Sequence, residues 1–453
     1  MAEKESKNKW HTPAERIMML GFAAVILLGT ILLCLPVSAA DGKSVYWLDA
    51  LFTATTSVCV TGLVTVPTAT TWSTFGKIVI LGLIQFGGLG IMACLTMVFL
   101  ILRRKISLQS RKLIQDTYNL PVLKGSVGIV RRLLIGTATV EIAGAVLYSF
   151  WFVPEYGFWK GIGYSIFHAV SAFCNAGFDL LGTEGEFSSL ASYNGNPVVL
   201  LTIMALITIG GLGFFVWEDI LRCGRDLRRL SLYSKMVLSF TAALILGGGL
   251  FFLLAEWDNP ATLGDMPGWK RVLNAAFQAV TLRTAGFDTI GQGNLRDSSL
   301  AMSCILMLIG GSSGSTAGGL KTVTVGVLFL TLRAGLAGRE EVTLRGRSIS
   351  HRRVMNALTL TLIVAVIFLA GSMIISLVDD VPFLSAAFES ASAMATVGVT
   401  VGITPTLSLF SHVLLICMMF LGRVGIMSFS IAFLARSKYP AKIKYPTMDI
   451  MIG

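Results

Sequence analysis

Long apolar runs alternate along this chain with shorter runs of mixed character. Seven continuous apolar stretches approach or exceed the roughly 20 residues needed to cross a bilayer. They fall at about 17–36, 75–102, 133–153, 198–221, 236–255, 357–378 and 407–434, and an eighth, 300–332, is apolar at both ends but interrupted in the middle. Taken in pairs, they enclose four segments too brief to span, at about 47–58, 163–173, 271–282 and 384–394. Such a segment must dip into the membrane and return, and non-helical backbone at that depth is tolerated only where protein buries it or it lines a water-filled path. The pattern predicts an all-α polytopic membrane protein built from four tandem helix–pore-loop–helix repeats, arranged pseudo-fourfold around one ion pore. The repeats occupy 1–112 (with an N-terminal cytoplasmic segment), 113–230, 231–345 and 346–453 (with a C-terminal tail).

Two motifs recur in register with this pattern. Each short segment contains a Phe (Phe52, Phe167, Phe277, Phe388) and is followed by a glycine preceded by small or hydroxylated residues: Gly62, Gly177, Gly286 and Gly398. The glycines lie 115, 109 and 112 residues apart, a period that marks internal repeats. From Phe to Gly is ten residues in repeats one, two and four and nine in repeat three, so one pore loop is shorter. A second motif lies in each second helix: Phe86-Gly87-Gly88-Leu89-Gly90, Ile209-Gly210-Gly211-Leu212-Gly213, Ile309-Gly310-Gly311-Ser312-Ser313-Gly314 and Leu421-Gly422-Arg423-Val424-Gly425.

Glycine lets successive carbonyls turn toward one axis, and carbonyls from four loops can replace the hydration oxygens of a cation. The candidate ion-binding residues are Val60, Thr61 and Gly62; Asn175, Ala176 and Gly177; Thr284, Ala285 and Gly286; and Thr396, Val397 and Gly398. The half-helices before them would turn their negative C-terminal ends to the axis and favour cations. Taken singly, any of these glycines could instead be a helix-packing position; four in register argue for the filter.

The interruption of the eighth stretch, Gly310, Gly311, Ser312, Ser313, Gly314, Ser315, Thr316, Ala317, Gly318 and Gly319 followed by Leu320 and Lys321, is too rich in glycine to hold a helix, at about 1 kcal/mol per glycine relative to alanine. Below a filter it becomes a movable constriction. It lacks the G-x-x-x-x-G-K-[ST] spacing of a phosphate loop and follows no strand. Arg423, in an apolar helix where a charge is costly, has two readings: an electrostatic barrier in the ion path, or an arginine holding carbonyls of the 310–319 loop. Glu141 reads equally as a bundle-facing glutamate or an ion ligand, whereas His168 and Arg283 read as scaffold anchors.

Charge adds topology. The formal net charge of +11 is carried by alternate connections (Arg103–Lys105, Arg131–Arg132, Arg222–Arg229, Arg333–Arg353, Lys438–Lys444), and the intervening ones hold the acids. The positive-inside rule then places both termini in the cytoplasm with an even number of spans, and argues against a nucleic-acid surface. The apolar start followed by Val37-Ser38-Ala39-Ala40 imitates a signal peptide, but its run is too long for one and repeat one needs it. Seven cysteines without metal-like spacing read as packing residues. No catalytic motif is visible, so an intramembrane enzyme is not expected.

The four repeats, the four filter glycines, the Gly/Ser loop and Arg423 together resemble the Ktr/Trk/plant high-affinity superfamily of potassium transporters, most closely the Ktr membrane subunit. One helix rather than three precedes the first pore loop, which favours Ktr over Trk. The resemblance implies passage of potassium, because Gly62 stands where some sodium-selective plant members have serine. It implies no organic cofactor in this chain, a membrane homodimer to which the tail through Gly453 contributes, and a cytosolic ring of ATP/ADP-binding regulatory subunits, often with stimulation by sodium. That ring would land on the basic connections 103–112, 222–235 and 333–353. The competing class is an alternating-access secondary transporter coupled to sodium or protons, since broken helices mark those folds too; parallel repeats with re-entrant loops count against it.

Overall fold

A computed structural model describes residues 14–90, 93, 94, 96, 97, 126–182, 187–224, 226–339 and 341–425. The connection 103–112 and the tail with Lys438, Lys442 and Lys444 lie outside the described residues. Four long helices carry the first span of each unit: α1 (Ala14–Leu33), α4 (Ser126–Tyr156), α8 (Leu232–Ala255) and α12 (His351–Asp379). All four contain stretches long and apolar enough to cross a membrane. They present leucine, isoleucine and phenylalanine outward, for example Leu28, Phe150, Leu246 and Leu362, as a lipid-facing surface requires.

The interior is built from the shorter, more polar helices α2 (Trp47–Cys59), α5 (Phe158–Cys174), α9 (Gly268–Thr281) and α13 (Phe383–Ala395). Every residue of α13 from Ala386 onward is buried. Each packs against the long helix that precedes it. Phe52, Phe167, Phe277 and Phe388, the aromatic that opens each motif, are all in the core.

The second helices are α3 (Thr74–Leu89), α6 (Pro197–Leu212) with its continuation α7 (Phe214–Cys223), α10 (Asp297–Leu308) with α11 (Thr322–Leu336), and α14 (Leu409–Val424). Ser73, Asn196 and Ser408 cap α3, α6 and α14 by accepting from backbone amides of the first turn. The sequence led us to expect three unbroken second helices and one broken one. Instead each ends at its glycine motif: Gly90, Gly213 and Gly425 have φ of 82°, 85° and 89°, and α6 and α7 meet at 96°. The last glycine of the motif, with its positive φ, is what ends these helices. Most of the predicted stretch 91–102 and all of 426–434 lie outside the described residues.

The second helices also make the contacts between units. α3 packs on α5, α6 on α9, α10 on α13 and α14 on α2, so each touches the short helix of the next unit and the last returns to the first. A two-residue hairpin, Thr343–Leu344 with Arg347–Ser348, joins α11 to α12 and adds the only strands among the described residues.

Candidate functional site: four loops and the segment beneath them

The short helices α2, α5 and α13 end alike. Val60, Asn175 and Thr396 adopt left-handed conformations with φ of 56°, 60° and 53°. The amides of these residues reach the carbonyls of Ser57, Ala172 and Ala393, and the next amides reach those of Thr56, Ser171 and Ser392, the paired bonds of a Schellman turn. Val60 and Thr396 are β-branched, so the conformation costs about 1–2 kcal/mol at each. In the third unit, one residue shorter, Thr284 takes the left-handed position with φ of 66°, and Ala285 bonds instead to Thr281. The shortened loop thus reaches the same conformation two residues before its glycine.

From these turns the four glycines come together. A Cβ built on Gly62 would lie 2.5 Å from the Ala176 oxygen, on Gly177 2.9 Å from the Ala285 oxygen, on Gly286 2.6 Å from the Val397 oxygen, and on Gly398 2.0 Å from the Thr61 oxygen. Each glycine therefore faces the carbonyl that precedes the glycine of another loop, and the four contacts close on themselves. The first glycine of the second motif serves a similar close approach: a Cβ on Gly87, Gly210 or Gly422 would lie 2.1 to 2.2 Å from the carbonyl oxygen of Val58, Phe173 or Met394, four residues before the loop glycine. Gly62, Gly177, Gly286 and Gly398 together line one cavity of about 220 Å³, whose walls include Asp179, Asp288, Gln292 and Thr400.

The residue after each marker phenylalanine ties three of the short helices to the chain beyond the glycine. His168 lies between the Tyr164 carbonyl, 2.7 Å from Nδ1, and the Leu180 amide, 3.3 Å from Nε2. The first can only accept and the second only donate, which fixes a neutral ring protonated at Nδ1. Gln278 pairs with Gln292 through two hydrogen bonds, each side-chain amide donating to the oxygen of the other. Glu389 accepts from the Thr400 and Thr404 hydroxyls and the Val401 amide. In the first unit Asp49 does the equivalent work by accepting from Thr65 at 2.7 Å. The sequence reads His168 as an anchor and carries no comparable signal for Gln278 and Glu389.

On the other side of the glycines, residues 310–321 cross beneath the loops as an ordered segment. The amides of Ser312 and Thr316 donate to the carbonyls of Gly211 and Gly210, the Gly314 carbonyl accepts from Phe214, and the Thr316 hydroxyl donates to the Phe173 carbonyl at 3.2 Å. Gly318 lies against the Thr396 hydroxyl, and Lys321 donates to Ala317 at 2.7 Å. Arg423 donates to the Thr316 carbonyl and to those of Gly87 and Gly88, and so joins this segment to the first unit's α3. Arg283 reaches Gly310 and Thr322, whereas Ser313 accepts from Tyr233. Glu141 stands apart, accepting from Gln85 at 3.1 Å beside Cys174.

Residues 16–441 match the family described as TrkH, cation transport protein. The chain belongs to this TrkH family. Its relatives include the potassium/sodium uptake protein NtpJ of Enterococcus hirae, 41% identical with 99% of each chain covered. They also include the Ktr system potassium uptake protein B of Bacillus subtilis, 37% identical over 100% of this chain and 99% of the other. The crystal structure of the potassium transporter TrkH from Vibrio parahaemolyticus shares the fold, with a TM-score of 0.75 at 19% identity over 96% of this chain and 87% of that one. The expected Ktr-type membrane subunit is what these relatives support. As a TrkH-family member the chain is a multi-pass membrane protein and a cation transporter, not an enzyme.

Asp179, on the wall of the cavity, is expected to make transport sensitive to pH. It lies in the loop beyond its glycine, outside the spans, with its carboxylate receiving the Leu181 amide at 3.0 Å. Burial pushes its carboxyl up to about 6, against the opposing pull of the Leu181 and Gly182 amides. The group is therefore anionic above about pH 6 and neutral below it. Cation entry from the cavity side should fall as pH on that side drops through this value. Asp179→Asn should sit at the lower level throughout, as flux into vesicles across a pH series would record.

Proposed function

We propose that the protein takes up potassium through a channel-like pore whose filter is the ring of carbonyls before Gly62, Gly177, Gly286 and Gly398. The observation that carries this reading is the closed set of glycine-to-carbonyl contacts. Four loops offering oxygens at one point can replace a hydration shell. The circular packing of second helices on short helices supports a pseudo-fourfold arrangement around one axis, with the 220 Å³ cavity as the outer vestibule. The segment 310–321 is the gate: it crosses directly beneath the filter and is latched by Arg423. Both termini are cytoplasmic. The names of the relatives support potassium, and that of the Enterococcus hirae protein keeps sodium as a second substrate to test.

Being of Ktr type, the subunit works as a homodimer on a cytosolic nucleotide-binding ring, which contacts the basic connections 222–235 and 333–353. ATP and ADP bind that ring, and sodium stimulates uptake. Expression in cells deprived of their own potassium uptake, together with such a ring, should restore growth at low external potassium. Failure to restore growth by a membrane-inserted protein, or sodium accumulation in place of potassium, would reject the assignment.

A further inference from the structure

Four buried hydroxyls stand at one position of the short helices, six residues before the loop glycine in the first, second and fourth units and five in the shortened third: Thr56, Ser171, Ser392 and Thr281. They act on the backbone in two ways. The Gly62 amide donates to Thr56 Oγ1 at 2.9 Å and the Gly398 amide to Ser392 Oγ at 3.0 Å. In the other two units the hydroxyl donates outward, Ser171 to the Phe178 carbonyl at 2.7 Å and Thr281 to that of Phe287 at 2.6 Å.

The first pair bears on the filter oxygens themselves. In a trans peptide the N–H and the preceding C=O point in opposite directions, and no peptide among the described residues is cis. A Gly62 amide held back against α2 therefore turns the Thr61 carbonyl away from that helix, toward Gly398. A Gly398 amide held against α13 turns the Val397 carbonyl toward Gly286. These are two of the four carbonyls in the ring, each lying against the facing glycine.

We propose that Thr56 and Ser392 are positioning residues for ion selectivity, aiming the Thr61 and Val397 carbonyls by holding the amides that follow them. The inference rests on the reading of these carbonyls as the filter. Neither hydroxyl touches the ion. Each fixes the direction of an oxygen that does, and without it the peptide plane can rock and accept a smaller cation at lower cost.

The test measures potassium and sodium uptake ratios of the full chain in proteoliposomes. Thr56→Val, which keeps shape, and Ser392→Ala should each lower the potassium-to-sodium ratio by roughly five- to tenfold, the factor associated with one hydrogen bond of this kind. Thr56→Ser and Ser392→Thr, which retain the oxygen, should keep the wild-type ratio. Inserted Val and Ala variants with an unchanged ratio would overturn the proposal, as would Ser and Thr variants that fall equally far. If Thr56→Val does not reach the membrane, Ser392→Ala carries the same reading. A wild-type protein that does not discriminate would instead reject the filter assignment beneath it.

Discussion

Gly62→Ser is expected to let sodium compete for the pore, with discrimination against it falling roughly tenfold or more, the factor that ~1.4 kcal/mol of differential binding sets. Gly62 has a φ of 103°, and any Cβ there would meet the Ala176 oxygen at 2.5 Å. Because the obstacle is backbone, the side chain cannot find relief by rotating, and the ring must open between the first and second units. A wider ring no longer compensates the dehydration of one ion better than that of another. Paired potassium and sodium uptake by wild type and variant would check this, and equal ratios in an inserted variant would contradict it.

Arg423→Ala should release the gate. The side chain donates to the Thr316, Gly87 and Gly88 carbonyls, and a hydrogen bond from a charged group contributes about 1.5–3 kcal/mol. Losing roughly 3 kcal/mol from the closed position would shift the open-to-closed ratio about a hundredfold, seen as flux in the absence of any regulatory ring. Deleting residues 312–317 should act in the same direction. Arg423→Lys separates the two roles considered for this residue: it keeps the charge but not the planar fork of donors. If Arg423 latches the loop, Lys also raises flux; if it repels ions, Lys leaves flux low.

What was legible in the sequence was whatever the backbone demands of one residue. The four loop glycines stand where a Cβ would press on a facing backbone carbonyl, so they recur. The limits of α2 and α13 were also readable to within one residue, because each follows a long apolar run and opens toward a phenylalanine that enters the core, whereas α5 and α9 begin five and three residues before the starts expected at 163 and 271. The ends of α3, α6 and α14 at the motif were missed, although Gly90, Gly213 and Gly425 stood at one place in it. Apolar composition on both sides argued for continuity, and it was the positive φ of one residue that decided otherwise. The left-handed turns at Val60 and Thr396 had no local signal at all, since β-branched residues argue against them; the Schellman bonds and surrounding packing impose them. Thr56, Ser171, Thr281 and Ser392 did carry a signal, a hydroxyl at a fixed offset from the glycine. It becomes meaningful only once the missing residue of the third loop is placed after Thr281.

Glu389 and Gln278 were invisible for a different reason. Each lies beside a marker phenylalanine, but their partners, Thr400 to Thr404 and Gln292, return to them only after the chain has passed the glycine. Of the contacts of the 310–321 segment, the hold of Arg423 on a loop carbonyl was one of the two readings the sequence allowed; those with Gly210, Phe173 and Thr396 are long-range, and a composition that suggested a pliable constriction gave no hint of them.

The most direct measurement is ion flux through the purified chain in proteoliposomes, at clamped membrane potential, with potassium and sodium compared. The account predicts passive, electrogenic, potassium-selective flux that follows the potential and grows when the 310–321 segment is released. Flux coupled at fixed stoichiometry to a sodium or proton gradient would contradict it and recast that segment as part of an alternating-access site.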